Sequence, residues 1–163
     1  MGKLIPPVVP AGTMASSTQP EIVIDDELLL RPWNAGDVPA VIEAFTTPDI
    51  EHFHFRRFET EAEAAGWIAE CEQGWRDETR ATWAVLDRSR NQVAGRVAIY
   101  TALEDGHGEV SYWVLPHARG RNVATRACVA ATGWAHALGL HRVQLQHSTS
   151  NEGSRRVALG AGF

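Results

Sequence analysis

The chain has 163 residues, 44% of them hydrophobic, and a formal net charge of −5, which suits one domain with a buried core. No run of eighteen apolar residues is present to cross a bilayer as a helix, and no dense basic stripe with interleaved aromatics marks a nucleic-acid surface. The two cysteines, Cys71 and Cys128, form no CxxC pair; the pattern gives neither a zinc site nor a disulfide framework, and a reducing, cytoplasmic setting is expected.

Charge is unevenly spread. Residues 1–80 carry 6 basic and 15 acidic side chains, and residues 81–163 carry 9 and 5. That asymmetry reads either as ordinary solvated helix faces or as a basic half for an anionic ligand and an acidic half that mildly favours a cationic one.

Residues 1–26 read as a flexible N-terminal tail, rich in Pro, Ser, Thr and Gly over its first twenty positions, with prolines where a signal peptide needs a continuous apolar helix. Met14 is a second candidate start. Within 22–31 a strand or hairpin is expected, ended by Pro32. Asp37 is the expected cap of a helix with Val38, Val41, Ile42 and Phe45 on one face. Residues 47–58 read as a loop carrying His52, Phe53, His54 and Phe55. The two histidines share a side if the segment is extended, but no third ligand stands at a suitable spacing, so no metal is expected. Thr60 and Glu63 form a capping-box pattern that starts a second helix, with Ala64, Trp67, Ile68, Cys71 and Trp75 on its apolar face.

Three strands follow at 82–87, 92–101 and 108–115, joined by short polar turns that suit antiparallel hairpins. Trp83, Tyr112 and Trp113 alternate as core residues; Tyr100 fits either face. A helix spans 123–138, capped by Gly139, and a further strand at 141–147 precedes a last short helix at 151–159. Strand, loop, helix and strand between 108 and 147 make a βαβ unit with parallel strands. The loop opening its helix, Leu115-Pro116-His117-Ala118-Arg119-Gly120-Arg121-Asn122-Val123-Ala124-Thr125, places unpaired N–H groups and the positive end of a helix dipole beside two arginines. That combination is a seat for a phosphate or pyrophosphate.

From about Leu28 onward four segments, in order, resemble the Gcn5-related N-acetyltransferases, most closely the RimJ/RimL-like branch that acetylates ribosomal-protein N-termini. They are Leu28-Leu29-Leu30-Arg31-Pro32-Trp33, Glu109-Val110-Ser111-Tyr112-Trp113-Val114, Arg119-Gly120-Arg121-Asn122-Val123-Ala124, and Asn151-Glu152-Gly153-Ser154 with Ala158-Leu159-Gly160-Ala161-Gly162-Phe163. The resemblance implies an α/β GNAT fold over 27–163, with a mixed, mostly antiparallel sheet, a central splayed parallel strand pair and helices on both faces. It implies acetyl-CoA as co-substrate and a primary amine as acceptor, a protein N-terminus or a small amine, with no metal. The pyrophosphate would rest on the N–H groups of Arg121, Asn122, Val123, Ala124 and Thr125, with Arg119 and Gly120 in the same signature. Asn122 stands where the family usually has glycine; asparagine tolerates the left-handed backbone the turn needs.

By the same resemblance the pantetheine arm lies between the splayed strands, 108–115 and 141–147. Asn151 contacts it, Ser154 stands near the thioester sulfur as donor to the leaving thiolate, and the N–H groups near Val114 polarise the thioester carbonyl. Glu109 is the first candidate for the base that takes the amine's proton. The 52–58 loop helps wall the acceptor site. Family members continue for two strands beyond the Gly-Phe at 162–163, so the resemblance implies an incomplete sheet here, or a homodimer in which a second copy supplies the edge. The alternatives are a non-catalytic acyl-CoA-binding or regulatory module, and a purely structural domain.

Overall fold

The computed structural model describes residues 5–163. Its frame is one sheet of six strands, β1 (Ile22–Val23), β2 (Leu28–Pro32), β3 (Arg80–Asp87), β4 (Gln92–Ala102), β5 (His107–Val114) and β6 (Arg142–Leu145), paired in chain order. Neighbours are antiparallel up to β5, and β5 and β6 are parallel. Five helices pack on it: α1 (Val38–Thr46), α2 (Pro48–His54), α3 (Glu61–Arg76), α4 (Val123–Leu138) and α5 (Glu152–Ala161).

Strand alternation divides the buried side chains into two layers. Leu28, Leu30, Trp83, Val85, Val97, Ile99 and Val110 face α4, whose inner stripe is Val123, Ala127, Cys128, Ala131 and Ala135. Trp113, Ala84 and Val93 face the other side, against Val41, Phe45, Ala64, Trp67 and Cys71 of α1 and α3. The GNAT architecture expected from the sequence is the one observed, and both cysteines are buried core residues. The capping box is present as read: Thr60 Oγ1 accepts from Glu63 N–H and the Glu63 carboxylate accepts from Thr60 N–H. Helix α4 has the predicted ends, with Gly139 at φ 113 closing it.

Three expectations differ from the structure. The N-terminal stretch is docked rather than loose, though its first four residues lie outside the described ones. Val9 and Met14 are buried, and the N–H groups of Val8 and Val9 donate to the Glu104 and Leu103 carbonyls. The Glu78 carboxylate accepts from the N–H groups of Gly12, Met14 and Ala15, which holds its carboxyl below the usual range despite the opposing effect of burial. The indoles of Trp75 and Trp83 donate to the Ser17 and Pro20 carbonyls. Composition predicted disorder because the anchors are two isolated apolar residues and distant partners, which no local pattern shows.

Asp37 does not cap α1 with its side chain. Asn34 caps a preceding 3-10 turn at Ala35–Asp37, and the Asp37 carboxylate takes a bidentate pair from Arg31 at 2.7 and 2.8 Å. Residues 47–58 are not all loop, because Pro48 opens the short helix α2 and Phe55, left-handed at φ 52, ends it.

Candidate active site

Pairing between β5 and β6 begins at His107↔Arg142 and ends at Val110↔Leu145, while β5 continues to Val114. Past Val110 the two strands part, and the side of β5 that turns away from β4 has no strand to bond. Trp113 lies opposite Arg96 and Leu115 N–H donates to the Ala94 carbonyl. Alternation therefore turns the backbone groups of Tyr112 and Val114 toward the opening. Two side chains reach them: His54 Nε2 lies 3.1 Å from the Tyr112 carbonyl, and Arg119 Nε donates to the Val114 carbonyl at 3.2 Å. A β-bulge on β4 lies beside this stretch, where the register shifts and Ala94 is the extra residue. Gly95 is required there, since a Cβ would fall 2.4 Å from the Trp113 carbonyl oxygen.

The opening widens into a cleft of about 730 Å³ that runs from α2 to the start of α4 and α5. At its α4 end the chain alternates hands, with Gly120 at φ 78 and Asn122 at φ 55, the backbone pattern of an N–H nest. A Cβ on Gly120 would meet nothing within 4 Å, so glycine serves the backbone angle there rather than space. Asn122 makes no side-chain cap, and the first helical bond runs from Arg126 N–H to the Asn122 carbonyl. The N–H groups of Val123, Ala124 and Thr125 are therefore without a helical partner and face the cleft end.

The two arginines behave differently. Arg119 lines the cleft and pairs across its mouth with Asp49 of α2 at 2.9 Å. Arg121 does not line it; its Nη1 is 2.6 Å from the buried carboxylate of Asp87 at the β3–β4 turn. The Arg121 side chain is thus turned away from the cleft, a correction to the expected pair of charges beside the anion. The hydrogen bond from Arg121, with further donation from Ser89 and Arg90, holds the Asp87 carboxyl far below the usual range.

Glu109, Ser154 and Asn151 all line the same cleft. Glu109 Oε2 accepts from the side-chain amides of Gln144 at 3.2 Å and Gln146 at 3.4 Å, which leaves Oε1 open. Asn151 caps α5 by accepting the Ser154 N–H at 3.0 Å, with its NH2 free among the described residues. The Tyr112 hydroxyl donates to Ser154 Oγ at 2.8 Å. Tyr112 is therefore not purely a core residue: its ring packs against the α4-side core and its hydroxyl reaches the cleft. Burial pushes that phenol up to about 12.

His54 is brought down to about 4, by burial first and by the charge of Arg96 second. It is neutral near pH 7, and its carbonyl partner assigns the proton to Nε2. Tyr112 was not marked as a site residue by the sequence, and His54 only as part of the 52–58 segment expected to wall the acceptor site, of which His52, Phe53, His54 and Phe55 do line the cleft. Tyr112 was hidden because alternation reads as core, and His54 because nothing local shows that α2 covers the strand opening. Among the described residues no group of three His, Cys, Asp or Glu could hold a metal, and no helix is long and apolar enough to cross a membrane.

Residues 27–163 match the acetyltransferase (GNAT) domain family. The chain belongs to that family. As a GNAT domain it is an acetyl-CoA-dependent N-acetyltransferase. No curated protein sequence matches it. Solved structures similar in fold include an acetyltransferase of the GNAT family from Bacillus anthracis, 19% identical with a TM-score of 0.75, covering 87% of this chain and 82% of that one. An acetyl transferase from Salmonella typhimurium that modifies the N-terminal serine of a 50S ribosomal subunit protein is 16% identical, with a TM-score of 0.76 over 88% of this chain and 84% of that one. Spermidine N-acetyltransferase from Vibrio cholerae, solved with CoA and spermine, is 18% identical, with a TM-score of 0.70 over 85% and 81%.

Proposed function

We propose that this domain moves the acetyl group of acetyl-CoA directly to a primary amine, a protein N-terminus or a small amine, with both substrates bound at once. The observation that carries this reading is the adjacency of the strand opening beyond Val110 to the N–H nest at Gly120–Thr125, within one cleft. The pyrophosphate takes the nest, with Arg119 beside it. The pantetheine arm lies along Tyr112 to Val114 near the Asn151 amide, and the thioester comes to rest between Ser154 and Glu109.

The amine must lose a proton before its lone pair can attack. Glu109 accepts it on Oε1, directly or through water, while the amides of Gln144 and Gln146 hold Oε2. The new C–N bond forms as the C–S bond breaks. Alternation turns the Val114 N–H toward the oxyanion. The Ser154 O–H donates a hydrogen bond to the departing thiolate, since accepting from Tyr112 leaves it free to point at sulfur; the thiolate then takes its proton from solvent or from the protonated Glu109. A covalent acetyl-cysteine route lacks a nucleophile: Cys71 and Cys128 are buried, and burial raises both thiols, Cys128 to about 12.

Acceptors of the kinds known for the Salmonella and Vibrio enzymes, an N-terminal serine and a polyamine, are the first to try. Incubation with acetyl-CoA and an amine panel, read as free thiol, should show acceptor-dependent release, with no acetylated protein by intact mass. Tight acetyl-CoA binding without release for any amine would leave only a binding module.

A further inference from the structure

Three charged side chains are buried among the described residues: Asp37, Asp87 and Arg96. The two carboxylates have arginine partners. Arg96, only 5% exposed, has no carboxylate within ion-pair distance among those residues. Its Nη1 donates to Ser111 Oγ at 3.1 Å and its Nη2 to Tyr100 Oη at 3.3 Å. Its Nε has no partner, and its guanidinium lies 5.8 Å over the Trp67 ring. A buried cation held by two neutral hydroxyls and an aromatic face is expensive unless something anionic completes it.

The hydroxyls show where that anion belongs. Each accepts a hydrogen bond from Arg96 and so turns its own proton elsewhere, as a donor strengthened by the charge behind it. Ser111 lines the cleft and Tyr100 is 40% exposed. Both stand on the same sheet face as Glu109, which lies directly opposite Tyr100 in the β4–β5 register, two residues from Ser111. A lone anion there would be repelled by Glu109, but a molecule carrying an ammonium and a carboxylate a few bonds apart would match both groups. One negative charge fits one guanidinium; a phosphate dianion would not. The tilt expected toward cationic acceptors has little support in the cleft. Of the 15 acidic side chains in residues 1–80 only Asp49 lines it, and Asp49 is paired with Arg119.

We infer that the acceptor is an amine bearing a nearby carboxylate, an amino acid or a peptide whose first residue is acidic, seated by Arg96 through Ser111 and Tyr100 with its amine at Glu109. This rests on the acetyl-transfer reading above. The test compares thiol release at saturating acetyl-CoA for matched acceptors: α-amino acids against their carboxamides, peptides starting with Asp or Glu against those starting with Asn or Gln, and spermidine. The wild-type domain should favour the carboxylate member of one set by at least about 10-fold in kcat/KM, as loss of a charged hydrogen bond implies. The responding set distinguishes free amino acid from peptide.

Arg96→Gln and Ser111→Ala should bring the two members together through KM while acetyl-CoA still raises the melting temperature. If Arg96→Gln does not fold, Ser111→Ala and the wild-type comparison decide. Equal rates within each wild-type pair, a preference that survives the variants, or release with spermidine alone would overturn the inference while leaving acetyl transfer standing. No release with any amine would instead sink the transfer reading itself.

Discussion

The Tyr112 hydroxyl donates to Ser154 Oγ across the cleft, joining β5 to the first turn of α5 at 2.8 Å. An oxygen accepting from tyrosine directs its own O–H elsewhere, which under the proposed mechanism is toward the sulfur. Ser154→Ala should lower kcat by about 100-fold, within the range for loss of one hydrogen-bond donor to a developing anion, with little change in acetyl-CoA affinity. Tyr112→Phe should give a smaller loss. Because burial holds the phenol at about 12, the wild-type pH–rate profile should lack a tyrosine limb near pH 10. Ser154→Ala with wild-type turnover would remove it from the role.

Glu109 is held by its Oε2 edge, from Gln144 of β6 and Gln146 just beyond that strand. Glu109→Gln preserves that edge's shape and removes the basic oxygen, so turnover should fall by about 100-fold or more while acetyl-CoA binding holds. The acid limb of the pH–rate profile should disappear with it. A variant that keeps the limb would point to another base or to delivery of an already neutral amine.

The nest at α4 makes a backbone prediction. Asn122 stands at φ 55, an angle a β-branched residue adopts only at a cost of about 1–2 kcal/mol. Asn122→Val should lower both stability and acetyl-CoA affinity, and Asn122→Gly should restore both. Ala124→Glu should abolish binding outright by setting a carboxylate where the pyrophosphate rests. Calorimetric titration with acetyl-CoA reads all three, and undiminished affinity in Ala124→Glu would mean the anion sits elsewhere.

These cases also show what the sequence could and could not reveal. The α4 boundaries, the capping box at Thr60 and the left-handed tolerance of Asn122 were legible because each is decided within a few residues. The βαβ unit was legible because period and turn chemistry agree over forty positions. What stayed hidden depends on distant partners: Arg121 turns to Asp87, 34 positions away, and His54 reaches the Tyr112 carbonyl across 58. A turn rich in arginine looks the same whether its side chains face a phosphate or a buried aspartate. Apart from Asp49, the acidic residues of the first half lie outside the cleft, which agrees with the reading of solvated helix faces.

Asp87 offers a test through pH. Its carboxyl is depressed in the folded chain below the ordinary value of 3.8, chiefly by the hydrogen bond from Arg121. A depressed carboxylate contributes stability above its unfolded pKa and loses it as pH falls toward the folded one. Arg121→Gln should therefore melt below the wild type at pH 6–8, with the gap narrowing once pH drops under about 4. Thermal melts at pH 7 and pH 3 give the comparison; a gap constant across both would mean the pair contributes nothing through Asp87 ionisation.

The docked N-terminal segment carries the last prediction. Met14 is fully buried in the α4-side core cluster, which also holds Trp75 and Trp83, and the N–H groups around it are gathered by Glu78. Met14→Ala removes most of a buried side chain, and the cavity left should cost about 2–4 kcal/mol. Glu78→Gln keeps the size but weakens three hydrogen bonds to a charged acceptor, so a smaller loss of about 1–2 kcal/mol is expected. Urea unfolding followed by tryptophan fluorescence suits both variants, since Trp75 and Trp83 each donate to a carbonyl of this segment. If Met14→Ala unfolds at the wild-type midpoint, the segment is an attachment that the core does not need.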